Sequence, residues 1–208
     1  MRRWLGFVAA VLSTSACGSL PETHFYRLSP ATFNRMREPI AGSLAIATLQ
    51  SAAIYTDDGM VYRTSPNKVD YYGYHRWTSP PAVQLTDYLL DAFERTGLFR
   101  QVETEPSGST QAVLSGRLSS FDEVDATQTQ WKGRVELQLQ LQDPVSGLMF
   151  WSRRYEESEP IAQRSPEGLA VALSAAMQRV VASSAPEVAS AMQSHAATVK
   201  PEQSSGEP

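Results

Sequence analysis

Residues 131–142 carry the clearest pattern in the chain: Val135, Leu137, Leu139 and Leu141 alternate without a break with Glu136, Gln138, Gln140 and Gln142. A period of two belongs to a strand with one buried and one wet face. Asp143-Pro144-Val145-Ser146-Gly147 then reads as a turn into an apolar run. Residues 131–142 and 148–156 are therefore expected to form an antiparallel hairpin. Residues 98–103 and 112–124 also read as strands, and Gly116 inside the second marks the close approach of a neighbouring element.

Two stretches switch to a helical period. Ser79-Pro80-Pro81 supplies a capping hydroxyl and first-turn prolines. Behind it Ala82, Leu85, Leu89, Ala92 and Phe93, with Tyr88 beside them, form one apolar stripe, while Gln84, Asp87, Asp91 and Glu94 are placed off it. Gly97 is the expected left-handed stop. Ser165-Pro166-Glu167 repeats the start signal, and Leu169, Leu173, Ala176, Met177 and Val180 make the second stripe. Beyond residue 185 the chain turns to Ala, Ser, Glu, Gln and Pro, so residues 186–208 are expected to be a disordered tail.

The first half is less regular. Residues 24–28 alternate and stop at Ser29-Pro30, as a first or edge strand would, and 31–42 read as a connection. Residues 43–50 suit a central strand covered on both faces. Asp57-Asp58-Gly59 is a turn signal, giving an expected hairpin between 53–55 and 60–63, and 69–72 form another short strand. Strands before, between and after two helices predict an α/β (α+β) domain over residues 24–185: a single mainly antiparallel or mixed sheet with two helices packed on one face.

The N-terminus changes the setting of that domain. Arg2 and Arg3, an apolar run and small residues follow the order of a secretory signal peptide over residues 1–16, and the run is far short of the roughly 20 apolar residues of a spanning helix. The single cysteine, Cys17, cannot pair within the chain. Ser15-Ala16-Cys17 resembles the lipobox of bacterial lipoproteins, with Thr14 where that motif usually carries Leu. An ordinary signal peptide with an incidental cysteine is the alternative. The lipobox resemblance implies an N-acyl chain and an S-diacylglycerol on Cys17, enough acyl carbon for stable anchoring. Residues 17–23 then form the lipidated cysteine and a short tether, in which six extended residues reach only about 20 Å. Loss of Arg2 and Arg3 moves the net charge from −4 to −6, and nothing in that balance points to nucleic acid.

Catalytic and metal chemistry find little support. There is no G-x-x-x-x-G-K-[ST], G-x-G-x-x-G or H-E-x-x-H, and the three histidines are scattered. Asp57-Asp58-Gly59 lacks the alternate oxygen ligands and closing Glu of an EF-hand. No metal and no cofactor beyond the acyl groups are expected, and the domain reads as noncatalytic. One region stands out: Tyr62, Arg63, Tyr74, Arg76 and Trp77 are concentrated with Tyr55, Tyr71 and Tyr72, and Tyr, Trp and Arg dominate interface hot spots. These five residues are the candidate partner surface. A sheet packed with core aromatics is the plainer reading of the same residues.

In order along the chain, Cys17, Phe25-Tyr26-Arg27-Leu28, Val61-Tyr62-Arg63, Tyr74-His75-Arg76-Trp77, Leu98-Phe99, Leu114-Ser115-Gly116-Arg117-Leu118 and Phe150-Trp151-Ser152-Arg153-Arg154-Tyr155 resemble the ABC-type transport auxiliary lipoproteins of the paraquat-inducible protein C type. That resemblance implies an outer-membrane lipoprotein facing the periplasm, working with a separate ATPase, a permease and an MCE-domain protein in moving phospholipid or other apolar molecules. Gly18 after the cysteine, rather than Asp, is similar to the outer-membrane sorting preference of enteric-type bacteria. The resemblance supplies no catalytic residues. A lipid-carrier domain with its own apolar cavity and a purely structural envelope lipoprotein remain alternatives.

Overall fold

The sheet is built along one long strand. In the computed structural model, which describes residues 21–125, 127 and 129–199, the strands are β1 (His24–Tyr26), β2 (Ala41–Ile46), β3 (Gln50–Ser51), β4 (Gly59–Ser65), β5 (Lys68–Trp77), β6 (Phe99–Glu103), β7 (Thr110–Asp125), β8 (Trp131–Gln142) and β9 (Met149–Pro160). The helices are α1 (Pro81–Thr96) and α2 (Pro166–Val199). Along one side β7 pairs in parallel with β2 near its start, with β3 in the middle and with β4 near its end. Along the other side it pairs antiparallel with β8. Beyond these, β2 adds β6, β4 adds β5 and then β1, and β8 adds β9, which completes one mixed sheet of nine strands. The expected signal peptide, Cys17 and residues 200–208 lie outside the described residues.

The β8–β9 hairpin forms as the alternation predicts. Val135, Leu137, Leu139 and Leu141 are fully buried, and Ala172 and Leu173 of α2 pack where a side chain at Gly133 would lie. The opposite face is polar: Gln140 Nε2 donates to Ser115 Oγ at 3.0 Å and Gln138 Nε2 to Ser152 Oγ at 3.3 Å. Gly116 is needed where it stands, because a Cβ there would fall 2.4 Å from the Gln138 carbonyl oxygen and 3.1 Å from Leu49. Both helical stripes are buried; α1 and α2 touch each other and both reach β2, so one core fills the space between helices and sheet. Each fully buried Leu or Phe there stabilises the fold by roughly 1.5–3 kcal/mol.

Four expectations are corrected. Residues 53–55 form a single 3-10 turn, not a strand, because the Tyr55 ring is drawn into the protein; β4 pairs instead with β5, through Ser65-Pro66-Asn67-Lys68. Helix α1 has Pro80, not Ser79, at its N-cap, with no side-chain capping bond. Gln84 is buried, its Oε1 accepting from Leu28 N at 3.2 Å, since the chain leaving β1 needs an acceptor over α1. Residues 186–199 are not a disordered tail: α2 continues through Pro186 to Val199, with Val188, Ala189 and Met192 buried. This helix is long and apolar enough to cross a bilayer by composition, but most of its apolar window is packed against the sheet.

The turn closing β8 and β9 is held by one carboxylate. Asp143 Oδ1 accepts from Ser146 N at 2.7 Å, Ser146 Oγ at 2.9 Å and Val145 N at 3.0 Å, while Oδ2 faces His195 Nε2 at 3.3 Å. The Ser146 amide and then its hydroxyl hold the Asp143 carboxyl down at about 2. A lowered folded-state value stabilises the fold above the unfolded value near 3.8, and that contribution is lost as pH falls toward 2. Asp143→Asn is therefore expected to flatten the stability profile between pH 4 and pH 2, measured by urea unfolding across that range. A profile as steep as wild type would mean that other carboxylates control acid unfolding.

Candidate docking surface and the charged cluster behind it

Strand β5 departs from regular pairing where it matters most. Val61 faces Tyr71 and Gly59 faces Arg76, so two residue steps on β4 are matched by five on β5. The excess forms a bulge around residues 72–75, in which Tyr74 has a left-handed φ of 59°. A non-glycine residue in that region carries a conformational cost of roughly 1–2 kcal/mol. The side chain it presents is 49% exposed. Next to it Arg76 points outward and its Nη1 donates to Asp58 Oδ1 at 2.6 Å. The register of β1 on β5 places Phe25 beside Arg76, and Phe25 is 61% exposed. Tyr71 is also exposed, with its hydroxyl donating to the Ile54 carbonyl at 3.2 Å. Phe25 and Tyr71 thus join Tyr74 and Arg76 among the exposed residues of this region, although the sequence reading did not select them; the outward phase of Phe25 in its strand was the available signal.

The other three candidates do not share that exposure. Trp77 is 1% exposed and packs on Phe121 with ring centroids 5.0 Å apart, so it is a core residue and not a partner contact. Alternation from the exposed Tyr74 and Arg76 already points the next residue, Trp77, to the opposite face; its residue type placed it among the candidates against that phase. Tyr62 is half-buried against the Tyr72 ring at 5.1 Å. Arg63 belongs to a charged cluster beneath the surface. Its Nε donates to the carboxylate of Asp122, which is wholly buried, and its Nη2 donates to Tyr55 Oη at 3.1 Å. Tyr55 Oη in turn donates to Asp122 Oδ2 at 2.8 Å. Burial works to lower the Arg63 pKa, but hydrogen bonding with Tyr55 and Asp122 outweighs it and raises the value above that of a free guanidinium. Burial first, and the Asp122 charge second, push the Tyr55 phenol up.

The next residue of β7 faces the helices and builds a second cluster. Tyr72 Oη donates to Glu123 Oε2 at 2.6 Å, and Arg164 Nε donates to Glu123 Oε1 at 3.1 Å. Arg164 Nη2 also donates to both oxygens of Asp125, and its guanidinium lies 4.9 Å from the centre of the Trp131 ring. Burial raises the Glu123 pKa, against the pull of Tyr72 and Arg164. His75 meets the Tyr72 ring edge-on at 6.2 Å, is stacked on His24 at 5.4 Å and is bonded to Tyr26 Oη through Nδ1 at 3.0 Å. Among the described residues no group of three or more His, Cys, Asp or Glu is placed to hold a metal ion.

Strand direction fixes which end of the sheet the N-terminal segment reaches. β1 is parallel to β5, β5 antiparallel to β4, and β4 parallel to β7. The chain ahead of His24 therefore leads toward the C-terminal end of β7, where the β4–β5 turn and Asp125 also lie. The β8–β9 turn is at the other end of the long strands.

A family model for the ABC-type transport auxiliary lipoprotein component matches residues 26–185. Among solved structures the fold is similar to protein XCC0632 from Xanthomonas campestris, described as a DUF330 protein, with a TM-score of 0.75 at 19% identity, covering 83% of this chain and 99% of that one. An uncharacterised protein gives a TM-score of 0.66 at 18% identity over 81% and 99% of the two chains. Hypothetical protein CT253 from Chlamydia trachomatis gives 0.51 at 7% identity over 73% and 98%. At these identities the likeness concerns the fold alone. No curated protein matches the sequence significantly. The family match spans most of the chain, including the β5 bulge and both charged clusters: the chain belongs to the ABC-type transport auxiliary lipoprotein components.

Proposed function

We propose that this protein is a noncatalytic adaptor, held through lipidated Cys17 in the outer membrane with its domain in the periplasm. Its role is to dock the MCE-domain protein of an ABC transport system whose ATPase and permease are separate chains. The system moves phospholipid or other apolar molecules between the two membranes. The observation that carries this reading is the bulge on β5: a strained, half-exposed Tyr74 beside Arg76 and Phe25, with Phe25 only eight residues from Cys17. Strain retained at a half-exposed aromatic residue is offset by less packing than a core residue would gain, which favours a binding role. The space between sheet and helices is filled by side chains such as Leu85, Leu89, Phe93 and Leu173, all fully buried, and this favours an adaptor over a lipid carrier.

The adaptor reading is tested by copurification from envelopes in mild detergent. Wild type is expected to recover an MCE-domain protein, and the Tyr74→Ala, Arg76→Ala double variant to recover at least tenfold less while unfolding at the wild-type temperature. Equal recovery would move the interface elsewhere. No recovery with wild type even after cross-linking, together with about one lipid per extracted domain, would replace the adaptor by a carrier.

A further inference from the structure

The turn end of the β4–β5 hairpin, opposite the bulge, carries a second feature. On the face of the sheet away from the helices, an open cavity of about 420 Å³ is lined by Arg63, Ser65, Pro66, Val124, Asp125 and Arg134. Arg134 is the cross-strand partner of Asp122, and its Nε lies 3.5 Å from Asp122 Oδ1. That separation is too long for a good hydrogen bond, and both atoms are buried without a partner. Arg134 is thus drawn toward a buried carboxylate by charge, yet its guanidinium is not committed to it.

Arg63, Arg134 and Asp122 together leave one positive charge on this face. Asp125 is turned to Arg164, both its oxygens accepting from Nη2 at 3.1 and 3.0 Å, and Arg164 also donates to Glu123, so these charged groups sum to zero. Two guanidinium groups held by burial, with side chains only 20% and 29% exposed, present N–H donors to one open space next to the Ser65 hydroxyl. Planar forks of this kind match the oxygens of a phosphate. The volume lies in the range of small-ligand sites.

We propose that this cavity binds a phosphodiester monoanion, the group found in a phospholipid headgroup, between Arg134 and Arg63. Because the charged groups at the site sum to zero, the smaller ligand charge is the easier to accommodate: a diester carries one negative charge, free phosphate about 1.5 to 2 near neutral pH. The position agrees with a lipid source, since the chain ahead of His24 leads to this same end of β7. The proposal does not depend on the partner assigned above.

The test is thermal unfolding of the lipidated full-length chain in a maltoside detergent, which brings no phosphate of its own. The probes are dimethyl phosphate, a short-chain phosphatidylglycerol below its micellar concentration, and inorganic phosphate, each against sodium chloride at equal ionic strength. Dimethyl phosphate and the short-chain lipid are each expected to raise Tm by roughly 3–6 °C at ten times their dissociation constants. Tighter binding of the lipid than of dimethyl phosphate would assign the headgroup in its membrane context. Arg134→Gln is expected to reduce the shift to that of sodium chloride. Ser65→Trp, at an exposed position on the cavity rim, is expected to do the same without touching the charged cluster. The site is overturned if neither diester shifts wild type beyond the salt control, or if both variants keep the full shift. A response to inorganic phosphate alone would overturn the diester assignment.

Discussion

Arg63→Met is expected to cost about 3–5 kcal/mol of folding stability, more than Asp122→Leu, and the double variant Arg63→Met/Asp122→Leu is expected to recover most of the loss. The asymmetry follows from burial. Asp122 has no exposed surface, so removing Arg63 leaves a carboxylate that cannot reach water. It retains only the Tyr55 hydroxyl at 2.8 Å and the distant Arg134 Nε at 3.5 Å. Removing Asp122 instead frees two arginines whose side chains already reach solvent in part and can turn outward. In the double variant neither charge is stranded, and an apolar pair replaces an ion pair whose desolvation offset much of its attraction. Urea unfolding of the three variants measures this directly. Arg63→Met within about 0.5 kcal/mol of wild type would mean that the cluster is hydrated in solution.

That cluster also marks the limit of what the sequence discloses. Strand 131–142, and 112–124 as far as the irregularity at Leu118–Ser120, are legible because each buries one face against the same core, so a period of two survives in the residues themselves. The helical stripes are legible for the same reason. The pairing of β4 is not, because it is decided by residues far apart: Arg63 meets Asp122 across 59 positions, and Tyr55 meets it across 67. Sequence alternation does imply that consecutive acids Asp122 and Glu123 point to opposite faces of β7, so one of them must be accommodated near the core. Nothing local says that both are buried, or which arginines answer them. The candidate surface was half legible on similar grounds. Tyr74 and Arg76 are exposed as an interface needs, but Trp77 takes the opposite face by simple alternation, and residue type alone could not separate an interface aromatic from a core one. Cys17, the best-defined candidate in the sequence, lies outside the described residues.

Ending the chain after Ala185 removes what composition presents as a dispensable tail, and it is expected to lower Tm by more than about 10 °C. The helix runs through Pro186 although a proline removes one intrahelical hydrogen bond and crowds the preceding turn. The stripe nonetheless continues at helical spacing through Val181, Ala185, Val188, Ala189 and Met192, all buried. Loss of Val188 and Met192 alone exposes their packing partners at a cost of roughly 3–6 kcal/mol, a large share of the 5–15 kcal/mol typical of a domain. The truncation also removes Glu187, which accepts from Tyr155 Oη at 2.7 Å. It further removes Gln193, whose Nε2 donates to the Ile40 carbonyl at 2.6 Å, and His195, which stacks on Phe150 at 4.0 Å. These contacts fasten α2 to β9 and to the entry of β2 at the end of the sheet remote from the β4–β5 turn. A chain ending after Val199 keeps all of them and is expected to unfold within about 2 °C of the full-length protein. Both truncations are compared by thermal unfolding. If the shorter chain matched the longer one, the last turns of α2 would be only loosely docked, and its stability would rest on the stripe from Leu169 to Val181.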